Sequence, residues 1–182
     1  MKISSYQLIV DLKNITQENL QSAENLLQKS DHELNCRMSQ ESWSTLECFE
    51  HLNRYGNFYI PEINQRILSS QTSSKQIFTS GILGNYFAKS MLPNEKVNKM
   101  KTFNSMNPIH SQLNKNVIIE FIKQQEQMLE LLENAKNIDL NKTKTAISIS
   151  SLIKLKLGDT FRFVIYHNLR HVQQAKRVLT NL

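Results

Sequence analysis

Only four glycines and three prolines interrupt 182 residues, and that scarcity constrains the fold of this chain more than any motif in it. Sandwiches and barrels turn every few residues and spend glycine and proline on those turns, so this chain is committed to long helices. Its length suits one well-filled domain, taken as residues 1–182, rather than two ordinary ones. The expected fold class is all-α, a four-helix bundle.

Apolar periodicity places the four helices. The first is expected to start from Thr16 as N-cap and to carry Leu20, Ala23, Leu26 and Leu27 as far as Ser30-Asp31, with Tyr6 to Leu12 extending it or packing separately. Ser44-Thr45-Leu46-Glu47 has the form of a capping box, so a second helix begins there and runs to about Leu68. Pro61 removes one backbone donor inside it, which predicts a kink near Asn57. The third helix repeats Leu113, Val117, Phe121, Met128, Leu131 and Leu132 on one face, with Ser111 or Asn114 as cap and an end near Asn137. Asp159 is expected to cap the last, whose core face reads Thr160, Phe163, Val164, His167, His171, Gln174 and Val178. Between helices 2 and 3, Ser69 to Pro108 forms a long crossover with a short apolar stretch from Ile82 to Met91. Thr145 to Leu157 alternates its apolar residues and reads as irregular or short β.

The net charge of +6 comes from basic residues scattered along the chain, with enrichment at Lys142, Lys144, Lys154 and Lys156 but no basic block. No RNP, zinc-finger or helix-turn-helix signature accompanies it, so nucleic acid is not an expected partner. Cys36 and Cys48 fit neither a CxxC pair nor a disulfide framework. Without a signal peptide pattern or an apolar stretch of roughly 18 to 20 residues, the expectation is a soluble cytoplasmic protein with no membrane partner.

Chemistry concentrates in His167-Asn168-Leu169-Arg170-His171, because four-residue spacing on a helix aims two imidazoles at one point. His51 lies on an inward face of the second helix with Cys48, Tyr55 and Phe58, so it can join them if the two helices are adjacent. An apolar setting keeps the rings neutral, as a metal requires, yet core histidines can equally be satisfied by hydrogen bonds. Asn168 stands where the zinc-peptidase motif HExxH needs its glutamate, which argues against peptidase activity. Arg170 reads as an ion pair or an anion clamp, Gln174 as support for a ligand or a buried amide, Cys48 as a small hydrophobe, and Trp43 as an apolar fastener before the Ser44 cap. His32 and His110 lie off the periodic faces and take no role.

Trp43-Ser44, then His51, then Leu157-Gly158-Asp159 leading into His167 to Gln174, together resemble the DinB/YfiT-like superfamily of metal-dependent enzymes. The resemblance spans nearly the whole chain and implies a bundle in up-down-down-up order. It also implies a three-histidine site at His51, His167 and His171 for a divalent ion, zinc or nickel first, iron or manganese next. Open coordination positions there suit activation of water or of a low-molecular-weight thiol, as in related S-transferases, isomerases or hydrolases acting on a small-molecule substrate. Asn168 departs from the acidic residue many relatives carry after the first histidine of the pair. The competing reading is a non-catalytic bundle, a homodimer or ligand-binding stress protein whose histidines are merely hydrogen-bonded.

Overall fold

The computed structural model describes residues 1–93 and 102–181, so part of the crossover, residues 94–101, lies outside the described residues. Strand β1 (Lys2–Ser4) leads into α1 (Ser5–Leu26), the short α2 (Asp31–Asn35) and α3 (Thr45–Leu68). Strand β2 (Ile77–Thr79) and α4 (Ile82–Met91) follow, then a 3-10 turn at Asn104–Met106, α5 (Asn116–Asn134) and a second 3-10 turn at Ala135–Asn137. Strands β3 (Lys144–Ile147) and β4 (Ser150–Lys156) then lead straight into α6 (Leu157–Thr180). The protein is mostly helical, with two small antiparallel sheets, β1 with β2 and β3 with β4, that an all-α reading leaves out.

Each of α1 and α3 packs on both α5 and α6. Side chains tie the ends together: Lys13 pairs with Glu133 at 2.8 Å, and Lys115 Nζ donates to the Leu27 carbonyl at 3.0 Å. Asn53 Nδ2 donates to Val117 O at 2.7 Å, and the Thr45 hydroxyl to Ala175 O at 3.2 Å. Apolar side chains fill the interior in two clusters. One gathers Leu12, Tyr59, Phe78 and Phe161, the other Leu46, Phe49, Phe121 and Val172, with Phe49 and Phe121 meeting edge to face at 5.0 Å. Along α6, His167 and His171 fall where one cluster gives way to the other, and on α3 His51 lies beside Leu52 at the end of the second cluster.

Local signals succeed where their partners are local. The capping box at Ser44 is present, with Ser44 Oγ accepting from Glu47 N and Glu47 accepting from Ser44 N, and α3 runs unbroken through Pro61 to Leu68. Two expected caps are corrected. Helix α1 starts at Ser5 with Ser4 accepting from Gln7 N, while Thr16 is buried mid-helix with its hydroxyl bonded back to Leu12 O. Helix α6 starts at Leu157, and the Asp159 carboxylate faces away from its own amides, accepting from the Ser80 hydroxyl, Gly81 N and Arg162. No side chain bonds at the N-cap position of α5, although Asn114 Oδ1 accepts from Asn116 N. The Ile82 to Met91 stretch is helical as α4, which packs on α6. Bare backbone allows that docking, since a Cβ on Gly84 would stand 2.5 Å from Asp159; in the same way β2 approaches α6, since a Cβ on Gly158 would stand 2.5 Å from the buried Phe78 ring.

Candidate metal centre

The first turns of α3 and the middle of α6 bring His51, His167 and His171 together, with one ligand nitrogen from each lying within 4.8 Å of the others. Spacing on α6 accounts for the second pair, whose ring centroids are 4.7 Å apart. Packing of α3 on α6 supplies the third ring, 5.0 Å from His167 and 4.7 Å from His171. Both His51 and His167 are buried, and His171 is half-buried.

Two oxygen acceptors fix which nitrogen faces inward. His51 Nδ1 is 2.7 Å from the Met106 carbonyl, and since a carbonyl only accepts, the proton sits on Nδ1 and the Nε2 lone pair is left for the site. Gln174 Oε1 does the same for His171 Nδ1 at 2.9 Å. The Nε2 atoms of His51 and His167 face each other at 3.1 Å. Nitrogens on a tetrahedral ion at roughly 2.0 to 2.1 Å stand about 3.4 Å apart, so this donor set fits a small divalent cation.

Aromatic rings and a strap of chain close the surroundings. Trp43 lies 4.6 Å from His51 and 5.6 Å from His171, Tyr55 lies 5.0 Å from His51 and 4.7 Å from His167, and Phe163 stacks on His167 at 6.0 Å. Beyond fastening the start of α3, Trp43 donates its indole N–H to Asn107 Oδ1 at 3.0 Å. Arg54, held by Glu50 at 2.8 Å, donates to the carbonyls of Ser105 and Asn107. With the Met106 carbonyl on His51, these bonds lay residues 105–107 of the crossover against the site. Other polar side chains point elsewhere. Glu47 is held by Arg37 at 2.7 Å, Asn168 donates to Gln125 on α5, and Arg170 reaches Ser90 O at the end of α4. Burial pushes the Cys48 thiol far up, which leaves it a hydrophobe as expected.

Burial also keeps the three rings neutral. It pulls His51 down to about 4, against the raising effect of the Met106 carbonyl and with help from Arg54. His171 falls to about 3 through burial and the neighbouring His51, and burial holds His167 well below the ordinary histidine range. Below pH 6.5 the unfolded chain therefore takes up protons that the metal-free folded state refuses, so stability is complete above that pH and falls as the medium acidifies toward these lowered values. Between pH 7 and 5, His51 alone should cost about 2 kcal/mol. Urea unfolding of the metal-free protein at those two pH values checks this, and a pH slope unchanged in His51→Gln would refute it.

A mostly helical fold with a largely buried three-histidine cluster, free of any carboxylate among the described residues, defines the class: a helical protein with a site able to hold a divalent metal. The family model of the DinB superfamily matches residues 12–175, and the chain belongs to that superfamily. Comparison with curated proteins and with solved structures finds no match. Among the described residues no helix is long and apolar enough to cross a membrane.

Proposed function

We propose that this protein is a divalent-metal-dependent enzyme in which His51, His167 and His171 hold the ion, and that it activates water or a low-molecular-weight thiol toward a small electrophile. The observation that carries this reading is the convergence of three imidazoles, two with tautomers set by oxygen acceptors, and no fourth His, Cys, Asp or Glu in the group among the described residues. Such an open set suits catalysis, whereas structural sites close with four protein ligands. An ion held there would supply Lewis acidity, lowering the pKa of a water or thiol at the open position. Imidazole donors suit zinc, nickel and iron, and the family resemblance puts zinc or nickel first, with iron or manganese next. Trp43, Tyr55 and Phe163 would exclude bulk water and present apolar surface to the substrate, while Met106 O and Gln174 keep the ligand nitrogens deprotonated.

The reading extends to one domain with its long helices in up-down-down-up order, supported by the Lys13–Glu133, Asn53–Val117 and Thr45–Ala175 contacts. A homodimer remains part of the proposal on family grounds. Reconstitution with zinc or nickel, followed by assays of thiol transfer to a small electrophile and of ester hydrolysis, tests the activity. Turnover that needs the metal and disappears in His51→Ala is the expected result. Stoichiometric metal with no turnover in either assay would favour the binding protein over the enzyme.

A further inference from the structure

Away from the histidines, the region where β2, α4 and the β3–β4 hairpin meet has an unusual surface. Sequence from 63 to 94 and from 140 to 158 contains no acidic residue, while the same stretches carry Lys75, Lys89, Lys142, Lys144, Lys154 and Lys156. Of the acids that bound them among the described residues, Glu62 is paired with Arg66 and Asp139 and Asp159 are buried. These elements adjoin one another, since α4 packs on β4, Lys156 Nζ donates to Thr79 O and Asn141 Nδ2 to Ile77 O.

Aliphatic side chains protrude from this basic surface. The β3–β4 ladder pairs Ala146 with Lys154 and then jumps to pair Ile147 with Ser150, which throws residues 151–153 out of register. Leu152 is left 92% exposed beside Ile153 and Ile149, and Ile82 at the start of α4 is 95% exposed, with Leu83 and Tyr86 nearby. Apolar tips set among cations mark a contact surface. A second copy would meet its own positive charge there, and nucleic acid would call for a row of stacking rings where all the exposed tips but Tyr86 are aliphatic. We propose that this surface docks peripherally on an anionic lipid bilayer, with the tips of Leu152 and Ile82 entering the interface, Tyr86 at headgroup level and the lysines against the phosphates. This departs from the sequence expectation of no membrane partner and is independent of the metal reading.

The test is co-sedimentation of the full chain with vesicles of phosphatidylcholine alone or with one third phosphatidylglycerol. Binding to the anionic vesicles only, weakened by salt, is expected. Leu152→Ser and Ile82→Ser should each weaken it roughly tenfold, and Lys144→Glu with Lys154→Glu should remove it. Ile119→Ser, at a 53% exposed position on α5, should leave binding unchanged, with thermal melts reporting the folding of every variant. No sedimentation, equal binding to neutral vesicles, or equal loss in Ile119→Ser would overturn the proposal. So would a dimer in sedimentation velocity that Leu152→Ser dissociates, which would assign the surface to a second copy.

Discussion

Replacing His167 with alanine should lower affinity for zinc or nickel by more than about 100-fold, because changing a partner that merely supports a ligand already costs 10 to 100-fold. His167 is a buried member of the cluster, with its Nε2 3.1 Å from that of His51 and its ring 4.7 Å from that of His171. Its removal leaves two imidazoles on different helices with no third donor among the described residues. Gln174→Ala removes only the acceptor on His171 Nδ1 and should fall in the smaller range. Competition titration with a chromophoric chelator measures both. Metal should raise the melting temperature of the wild type and leave that of His167→Ala nearly unmoved, since only a bound ligand shifts the folding equilibrium. Wild-type affinity in His167→Ala would refute the site.

The largest stability effect is expected at Asp159, far from the histidines. Asp159 and Arg162 form a pair at 3.1 Å with their side chains 0% and 3% exposed, and the same carboxylate accepts from the Ser80 hydroxyl and from Gly81 N ahead of α4. Asp159→Ala strands a buried guanidinium and two donors, which should cost about 3 to 5 kcal/mol and lower the melting temperature by roughly 10 °C. Adding Arg162→Met removes the stranded charge and should recover much of the loss. Calorimetry on the two variants decides the matter: equal melting temperatures would mean that the uncompensated charge is not the cause.

The same residue shows where sequence reading stops. Asp159 precedes an apolar-periodic run and has the local marks of an N-cap, yet it lies inside α6 and its partners Ser80 and Gly81 lie nearly eighty residues away. Thr16 misleads for the converse reason, since a hydroxyl inside a helix can bond back to the carbonyl one turn earlier, as it does to Leu12 O. Ser44 and Glu47 were legible because both halves of the box lie within one turn. Pairing of β1 with β2 joins Ile3 to Phe78, and neither three-residue strand is long enough to announce itself by alternation.

For the site, the four-residue spacing of His167 and His171 settles that two rings share a helix face, because helical geometry depends only on neighbours in sequence. Membership of His51 comes from family resemblance in the sequence and from the packing of α3 on α6 in space. Met106 could not be foreseen at all: it acts through its backbone carbonyl, which every residue possesses, and it reaches His51 across 55 residues. By itself the sequence determined the mostly helical class, the start of α3 and the inward-facing histidine pair, all consequences of periodicity and capping over a turn or two. Only the tertiary structure decided that the third imidazole arrives, which ring nitrogen it offers and what lies over it, because burial and distant carbonyls set those and leave no local mark in the chain.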